Sequence, residues 1–584
     1  MIRSEIDTLS EYYRHELAYL RSSGEDFAKH FPKIARRLDL SHEESSDPHV
    51  ERLIESFAFL TGKLQKQIDD QYPEIANALL GVIYKPLALP IPSSVMVKFD
   101  IDLSRAKKVP GMVVPRHTTL RATSHDGTVC SFRTSHDLKI WPIELKHAEI
   151  VTRENLSNYY TKASNFVKMY FSCAEAGISP DKLRFYLLAD ALLRGRIFAG
   201  IFSTEEPVIL EQSGVYKNLK KISPIGLEDD EALFVYPNNV HKSFRYLQEY
   251  FAFPDKFYGF DIPINESLEE NFILYVPIGA EIQMQISARD FSMSTVPAVN
   301  LFSKVTEPLR LDYKQVEYQL VPDYRLYRSH EIYTIEKMIE IDPVTNDEIE
   351  VPEFYSCNHF ASESKLGLAW IARRKESMLK KAMGDDAYVS FVDENFNPQQ
   401  PMDRVFYAYT LCTNRHAAED IPVKGELQTE ISIPVKQIYC ANRPTQQKNS
   451  LKNGAVLWKL ISLISLNSLS FSNHGIVKLK EILRLFSDLT NSSLEREIDS
   501  IFEITSNIGV KRVSHQSWYG FINGTNIEIN FDDNLYNKGL PLSLVISKFL
   551  SCYTCINTFT DVCVKSQNGI LRKWETQFGS RSYL

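Results

Sequence analysis

Apolar side chains in the first part of the chain, residues 9–92, recur at intervals of three and four positions. This spacing places them on one side of an α-helix. A first helix is predicted to end near Gly24. A second is predicted to begin at Asp47-Pro48. The carboxylate can accept hydrogen bonds from the free N–H groups of the first turn, and proline has no N–H that would need a partner there. Tyr72-Pro73 is predicted to close this helix, since proline restricts the residue before it, and a third, short helix is expected over residues 75–83.

The apolar faces of these helices are larger than three short helices can bury among themselves. We therefore predict that they contact other protein chains, with an internal helix bundle as the alternative. The face expected to be buried on the second helix consists of Val50, Leu53, Phe57, Leu60, Leu64 and Ile68. The candidate partner-interface residues are Leu9, Tyr13, Leu17, Leu20, Phe57, Leu60 and Leu64.

The pattern changes from helical to extended after Pro92. Residues 95–101 predict a strand, and glycines and prolines separate further β-prone runs up to about residue 340. One helix is predicted within this region, near residues 242–250. Prolines and polar turn residues bound the segments 86–92 and 343–352, which are therefore candidate hinges.

Helical periodicity returns beyond residue 443. Amphipathic faces predict helices over residues 476–486, 494–501 and 544–553, with a final strand over 556–564. Asn523-Gly524 is predicted to form a hairpin turn, because this pair tolerates positive backbone angles. The sequence thus predicts a multidomain α+β fold with an N-terminal helical region, a strand-rich middle and an α+β C-terminal domain. The predicted domains are residues 1–88, 89–342, 343–442 and 443–584.

Composition narrows the functional classes. The 584 residues carry 66 Lys and Arg against 74 Asp and Glu, and this net charge of -8 argues against a general nucleic-acid binder. Arg373-Arg374-Lys375, the most basic stretch, is interpreted as the solvated face of a helix. No uncharged apolar run reaches the ~20 residues that cross a bilayer, and the N-terminus has no apolar signal core. A cytoplasmic protein without direct membrane insertion is predicted.

The sequence contains no phosphate-binding loop, dinucleotide fingerprint, zinc-protease motif or nucleophile elbow. His42-Glu43-Glu44 with His49 fits the capping of a helix start better than a metal site. Glu228–Glu231 is interpreted as a solvated turn, and Cys552 with Cys555 as buried apolar side chains. We predict no catalytic residue, no cofactor and no metal ligand.

The densest concentration of aromatic side chains lies between residues 246 and 260. A core for the strand-rich domain is the preferred interpretation, and an exposed platform for a neighbouring subunit is the alternative. Its members are Tyr246, Tyr250, Phe251, Phe253, Phe257, Tyr258 and Phe260.

Short motifs occur in a fixed order along nearly the whole chain. They are YYRHELAYL (12–20), FPKIARRL (31–38), DPHVERL (47–53), CSFRT (130–134), SFR (243–245), LQEYFAFP (247–254), VNLF (299–302), CTNR (412–415), WKLIS (458–462) and INTF (556–559). Together they resemble the TssF family, also called ImpG or VasA, of bacterial type VI secretion systems. One position departs from the family pattern, because Thr295 stands where family members often carry cysteine. That difference argues against a metal ligand or nucleophile there.

The resemblance implies a structural subunit of the cytoplasmic baseplate, docked at the inner face of the inner membrane. It implies that two TssF copies join one TssG to form the core of a wedge, with TssE and TssK attached. Six such wedges would surround the VgrG spike and support assembly of the tail tube and sheath. Binding energy spread over large interfaces would perform this role without catalysis.

A cytoplasmic hydrolase with a dispersed active site is the alternative from another functional class. It predicts an active, soluble monomer with a discrete polar pocket, whereas the assembly hypothesis predicts a chain that depends on TssG for solubility. A peripheral membrane scaffold is disfavoured by the net acidity and by the lack of a basic amphipathic helix in the sequence.

Overall fold

The computed structural model of the protein describes most of the chain in separate segments. The described residues are 2–37, 48–107, 109–155, 163–237, 240–279, 285–311, 315–341, 347–354, 368–377, 384–393, 405–450, 454–464, 475–487, 492–515, 518–532, 536–554, 558–566 and 569–579.

The chain forms two compact units. The first consists of Met1–Ala88 and Leu451–Ser465, and the second of Leu89–Ser450 and Leu466–Leu584. The finer division into four domains stays a prediction, as do the hinges at residues 86–92 and 343–352.

The helices and strands are numbered in chain order. The helices are α1 (Ile2–His30), α2 (Pro32–Arg37), α3 (Pro48–Ala88), α4 (Leu103–Ala106), α5 (Ala191–Phe202), α6 (Ser243–Ala252), α7 (Gly454–Ile464), α8 (Gly475–Phe486), α9 (Ser492–Asp499) and α10 (Tyr536–Ser551). The first strands are β1 (Ser94–Ile101), β2 (Met112–Val114), β3 (Thr119–Thr123), β4 (Val129–Thr134), β5 (Leu138–Ile140), β6 (Ile143–Thr152), β7 (Asn165–Cys173), β8 (Lys182–Leu187), β9 (Ile209–Gln212), β10 (Val215–Asn218), β11 (Ser223–Pro224), β12 (Gly259–Pro263), β13 (Asn271–Ile278), β14 (Phe291–Ser292) and β15 (Thr295–Val299). The remaining strands are β16 (Phe302–Val305), β17 (Leu309–Arg310), β18 (Tyr318–Gln319), β19 (Glu331–Ile341), β20 (Glu348–Val351), β21 (Leu368–Glu376), β22 (Asp385–Asp393), β23 (Val405–Thr413), β24 (Glu426–Thr429), β25 (Val435–Cys440), β26 (Ile501–His515), β27 (Trp518–Phe531), β28 (Thr558–Ser566), β29 (Gly569–Lys573) and β30 (Gln577–Phe578).

The first unit is helical, with α1 and α7 both packed against α3. Two predicted helix ends are wrong. The helix α1 continues through Gly24 to His30, and α3 continues through Tyr72-Pro73 to Ala88, leaving helical geometry only at Tyr84 (φ -152°, ψ 73°). One interior glycine costs a helix only about 1 kcal/mol, which tertiary packing overrides. An interior proline removes one hydrogen bond, and a long helix can survive that loss with a kink.

The second unit begins with a closed barrel in the order β1-β15-β4-β3-β24-β25. Its strand β1 confirms the strand predicted over residues 95–101, and it pairs antiparallel with β15 on one side and β25 on the other. Barrel closure therefore joins segments more than three hundred residues apart, such as Lys98 opposite Tyr439. The interior is filled by buried apolar side chains, including Val95, Val97, Phe99, Leu120, Phe132 and Val296.

Further sheets extend the second unit. Their orders are β10-β9-β13-β7-β6, β11-β12-β8-β14, β16-β23-β19-β20 with β17 beside β23, β18-β22-β21, and β2-β5. The mixed α+β fold with a helical N-terminus and a strand-rich middle is thereby confirmed.

The aromatic concentration at residues 246–260 forms core, as predicted. All seven of its side chains are buried, and Tyr250, Phe257 and Phe260 have no exposed surface. Tyr246, Tyr250 and Phe251 belong to α6, which confirms the helix predicted over residues 242–250. The alternative of an exposed aromatic platform is wrong.

The C-terminal region confirms the three predicted helices as α8, α9 and α10. Its sheet runs in the order β26-β27-β28-β29, with β30 beside β28. The parallel pair β27 and β28 is connected through α10, which packs on both strands. The face beneath the helices buries Ile527, Ile529, Val562 and Val564.

The predicted hairpin turn at Asn523-Gly524 is wrong, because both residues lie inside β27, opposite Val510 and Gly509 of β26. Gly524 is instead required by the close packing of β28 against β27. A Cβ atom at this position would stand 2.3 Å from the Phe559 backbone oxygen, so only glycine allows β28 to approach this closely.

The predicted helix face at Arg373-Arg374-Lys375 is also wrong, since these residues belong to strand β21. Arg373 and Lys375 lie two positions apart and therefore share one face of the strand. Both form ion pairs with Glu317, the first at 2.7 Å between Nη1 and Oε1. Period-two spacing of the charges was the signal for a strand.

Three motifs that carry the family resemblance, CSFRT, VNLF and CTNR, meet in one buried hydrogen-bond network. Asn300 and Asn414 are both fully buried. The Asn300 Nδ2 group donates to Asn414 Oδ1 (2.8 Å) and to the Ser131 carbonyl (2.8 Å), while the Asn414 backbone N–H donates to Asn300 Oδ1 (2.7 Å). The Ser131 N–H completes the network by donating to Asn414 Oδ1 (2.9 Å). These motif residues therefore hold the strand ends together.

A second network buries charge between the strands and α6. Arg184 contacts Asp261 (2.7 Å) and Glu231 (2.6 Å), and Lys256 pairs with the fully buried Glu249. Removing one member of such a set leaves an unpaired buried charge, which is strongly destabilising.

The neutral His136 ring lies close to these charges. It is 5 % exposed and stacks on Tyr186 with 6.5 Å between ring centroids. Burial, reinforced by the cations Arg184 and Lys256, holds the pKa of His136 well below its usual value.

We expect Asn414→Ala to lower the free energy of unfolding by about 2–3 kcal/mol, because the Ser131 N–H and the buried Asn300 amide lose their acceptor. Thermal unfolding measures this cost. The double variant Asn300→Ala/Asn414→Ala should cost less than the sum of the two single changes, since each single change leaves the other side chain unpaired. Strictly additive costs would contradict the network.

Acid should weaken the fold through His136. Its pKa in the folded chain lies below the unfolded value of about 6.5, so its contribution is complete above that pH and is lost as the pH falls. The loss from this one group by pH 5 is at most about 2 kcal/mol, because the pH then lies about 1.5 units below the unfolded pKa. Urea unfolding at neutral pH and at pH 5 measures the difference. The variant His136→Phe should show a shallower decline, and an unchanged decline would contradict this assignment.

Candidate partner-binding surfaces

A row of large apolar side chains on α3 faces solvent. Leu53 is 72 % exposed, Phe57 54 %, Leu60 57 % and Leu64 57 %. Their spacing of four, three and four residues places them on one side of the helix, as in the seam of a coiled coil. We call these four residues the α3 stripe.

The α3 stripe is exposed because α1 packs on a different face of α3. Helix α1 lies against the small residues of α3, where Ala58 and Gly62 are buried. A Cβ atom at Gly62 would stand 3.1 Å from the Tyr13 backbone nitrogen, so the two backbones meet at this position. Close packing on the small-residue face turns the large side chains of α3 away from α1.

The other candidate residues lie on α1. Tyr13, Leu17 and Leu20 are half-buried in the first unit, while the Leu9 side chain lies outside the described residues. Further exposed apolar side chains of the first unit are Tyr19, Phe31, Ile34, Phe59, Leu79, Val82 and Ile83. The assignment of Leu9, Tyr13, Leu17, Leu20, Phe57, Leu60 and Leu64 as interface residues stays a prediction.

The four residues of the α3 stripe, which were expected to be buried, are exposed within this chain. The Val50 and Ile68 side chains lie outside the described residues. Helical periodicity identifies an apolar face, but it does not say which molecule covers that face. Complete burial of a large apolar side chain contributes about 1.5–3 kcal/mol. Covering the remaining half of four such side chains would contribute roughly 3–6 kcal/mol, before the cost of association.

The titratable clusters noted in the sequence have structural partners. In Glu228–Glu231, Asp229 pairs with Arg245 (2.9 Å) and the buried Glu231 with Arg184, so the interpretation as a solvated turn is wrong for Glu231. Burial raises the pKa of the Cys552 thiol to about 11, while Cys555 lies outside the described residues. His42-Glu43-Glu44 lies outside them as well.

The described residues contain no group of three or more His, Cys, Asp or Glu side chains placed to hold a metal ion. None of the described helices combines the length and the apolar composition that spanning a membrane requires.

The chain matches the model of a known protein family. The model of the family described as "Type VI secretion system, TssF" matches residues 6–581, nearly the full length. The chain belongs to the TssF family. A TssF protein of Pseudomonas aeruginosa, type VI secretion system component TssF1, is 28 % identical over 620 aligned positions that cover 99 % of both chains.

Solved structures share the fold of this TssF protein. A chain from a TssK-TssF-TssG baseplate subcomplex of a type VI secretion system superposes with a TM-score of 0.69 at 18 % identity, covering 91 % of this chain and all of that chain. A chain from a type VI secretion system baseplate complex superposes with a TM-score of 0.60 at 17 % identity, covering 98 % of this chain and all of that one.

Two glycines of α3 test the packing that exposes the α3 stripe. Gly62→Ala should lower the melting temperature, because the added methyl group meets the α1 backbone at 3.1–3.2 Å. Gly81→Ala is the matched control, since among the described residues no atom beyond the adjacent turns of its own helix lies within 4 Å of its Cβ position. Alanine there should stabilise the helix by about 0.5–1 kcal/mol. Thermal unfolding followed by circular dichroism distinguishes the two, and equal shifts would contradict the close approach.

Proposed function

We propose that this TssF protein is a structural subunit of the type VI secretion baseplate wedge, working through its interfaces rather than through catalysis. The observation that carries this proposal is the α3 stripe in a chain that matches the TssF family from end to end. Exposure of four large apolar side chains to water is unfavourable. Their coiled-coil spacing would allow a partner helix to cover them and remove this surface from water.

TssG is the first partner that we assign to this surface. The related TssF chain is part of a complex with TssK and TssG, and both proteins are assigned here as direct neighbours. TssE, the VgrG spike and a second TssF copy complete the proposed wedge. We place the assembly in the cytoplasm, docked at the inner face of the inner membrane, where it supports growth of the tail tube and sheath.

The hydrolase alternative finds little support in the cavity between α5 and the C-terminal sheet. Its volume of about 170 Å³ is below the ~300–1,000 Å³ usual for ligand sites. Three charged groups of its lining have internal partners, because Glu205 pairs with Lys221 (2.9 Å) and Arg572 donates to the Thr204 carbonyl (3.1 Å).

Leu60→Glu tests the proposal directly. A carboxylate in the centre of the α3 stripe should abolish recovery of TssG from co-expressing cells, because a desolvated charge would have no partner in an apolar seam. The melting temperature should change little, since Leu60 is exposed. Val316→Glu is the matched control, because Val316 is 87 % exposed in the second unit. It should recover TssG, TssE and TssK like the unmodified chain.

Two outcomes would contradict this assignment. Undiminished TssG recovery by Leu60→Glu would remove the α3 stripe from the interface. Failure of the unmodified chain to recover any of TssG, TssE and TssK would reject the wedge function itself.

A further inference from the structure

The edge strand β26 has an unusual distribution of charge. Residues 504–510, with the sequence ITSNIGV, carry no charge and no proline. Glu503 precedes this stretch and Lys511 follows it. Within the described residues, β26 pairs only with β27 and therefore forms the edge of its sheet. Exposed edges of this kind are usually interrupted by charges or prolines, because they can pair with another strand.

The ribbon formed by β26 and β27 also exposes apolar surface. Ile508 is 89 % exposed, Val510 65 % and Phe521 77 %. They lie on the same sheet face as Ile527 and Ile529, which are buried near the base of the ribbon. The helices α8 and α9 pack against β26, yet they leave these three apolar side chains uncovered.

We propose that β26 pairs antiparallel with β26 of a second copy of this chain, about a two-fold axis at Asn507. In this register each residue i lies opposite residue 1014 - i of the other copy. Glu503 of each copy then faces Lys511 of the other, so that two opposite-charge pairs flank the uncharged stretch. On the other face, Ile504 faces Val510 and Ser506 faces Ile508. Cross-strand pairs of both kinds stabilise a sheet.

Neighbouring registers lack this complementarity. A continuous sheet about a two-fold axis must keep each side chain on its own face, so the axis can move only by whole residues. With the axis at Ser506, Lys511 faces Ile501 and Glu503 faces Gly509. With the axis at Ile508, Lys511 faces Thr505 and Glu503 faces Val513. Only the axis at Asn507 places Glu503 of one copy opposite Lys511 of the other.

The surroundings of Lys511 favour an incoming carboxylate. Lys511 and Lys573 both contact Asp561, with Nζ-to-Oδ2 distances of 3.2 Å in each case. Two cations therefore share one carboxylate, which leaves a local positive excess for the Glu503 side chain of the second copy. Glu503 is exposed on its own chain and accepts a hydrogen bond from Asn530 Nδ2 (2.7 Å).

A single-cysteine experiment tests the register in the full chain, expressed in cells and oxidised before lysis. In Asn507→Cys the two cysteines meet at the axis, where facing Cα atoms lie about 4.5–5.5 Å apart, within the range that a disulfide spans. A covalent dimer should form. Thr505→Cys is the matched control on the same edge and face. Its two cysteines would lie roughly 14 Å apart at 3.4 Å per residue, so no dimer is expected. Absence of the Asn507→Cys dimer, or equal yields from both variants, would overturn the proposal.

A charge exchange between differently tagged full-length copies tests the same pairing independently. Glu503→Lys and Lys511→Glu should each weaken self-capture about tenfold, because two like-charge pairs replace two opposite ones. Mixing the Glu503→Lys copy with the Lys511→Glu copy restores both opposite pairs and should restore capture. A mixture no stronger than either variant alone would overturn the register. These readouts do not involve the α3 stripe or TssG, so failure here leaves the proposed wedge function standing.

Discussion

The close approach of α1 to α3 at Gly62 decides which large apolar side chains of the first unit remain exposed. A helix has a limited circumference, and α1 occupies the side of α3 that carries small residues. Because that side allows the two backbones to meet, the large residues of the α3 stripe are directed elsewhere. The four side chains of the α3 stripe thereby stay exposed within this chain. A helix pair packed through the larger side chains would bury more apolar surface and leave less to bind with.

Buried polar networks fix the strand arrangement of the second unit, where many sheets are built from strands distant in sequence. Asn300, Asn414 and Ser131 lie in three separate motifs, and their hydrogen bonds fix one strand arrangement because any other would leave amide groups unpaired. The Arg184, Glu231 and Asp261 contacts act in the same way through charge. Three of the family motifs, CSFRT, VNLF and CTNR, therefore hold strands that are distant in sequence in one arrangement.

The sequence predicted the fold class, the helices α6, α8, α9 and α10, the strand β1 and the aromatic core, because each depends on a local pattern of apolar residues. The errors arose where tertiary contact overrides a local signal. Gly24 and Pro73 do not end helices that packing sustains, and Gly524 admits a neighbouring backbone instead of making a turn. The apolar face of α3 was visible in the sequence. Phe57, Leu60 and Leu64 of this face were predicted to contact other chains. The contact at Gly62 that directs them away from α1 was not predicted, because it depends on a close approach of two backbones.

The α3 stripe and the edge of β26 differ in the physics of recognition. The stripe offers side-chain surface in helical spacing, so its affinity depends on apolar area and tolerates small shifts of the partner. The β26 edge offers backbone groups in a fixed period of two, where a one-residue slip exchanges the faces and separates Glu503 from Lys511. The first surface is therefore suited to binding a different protein, and the second to recognising its own sequence. Because they belong to different compact units, a defect in one can be separated from a defect in the other.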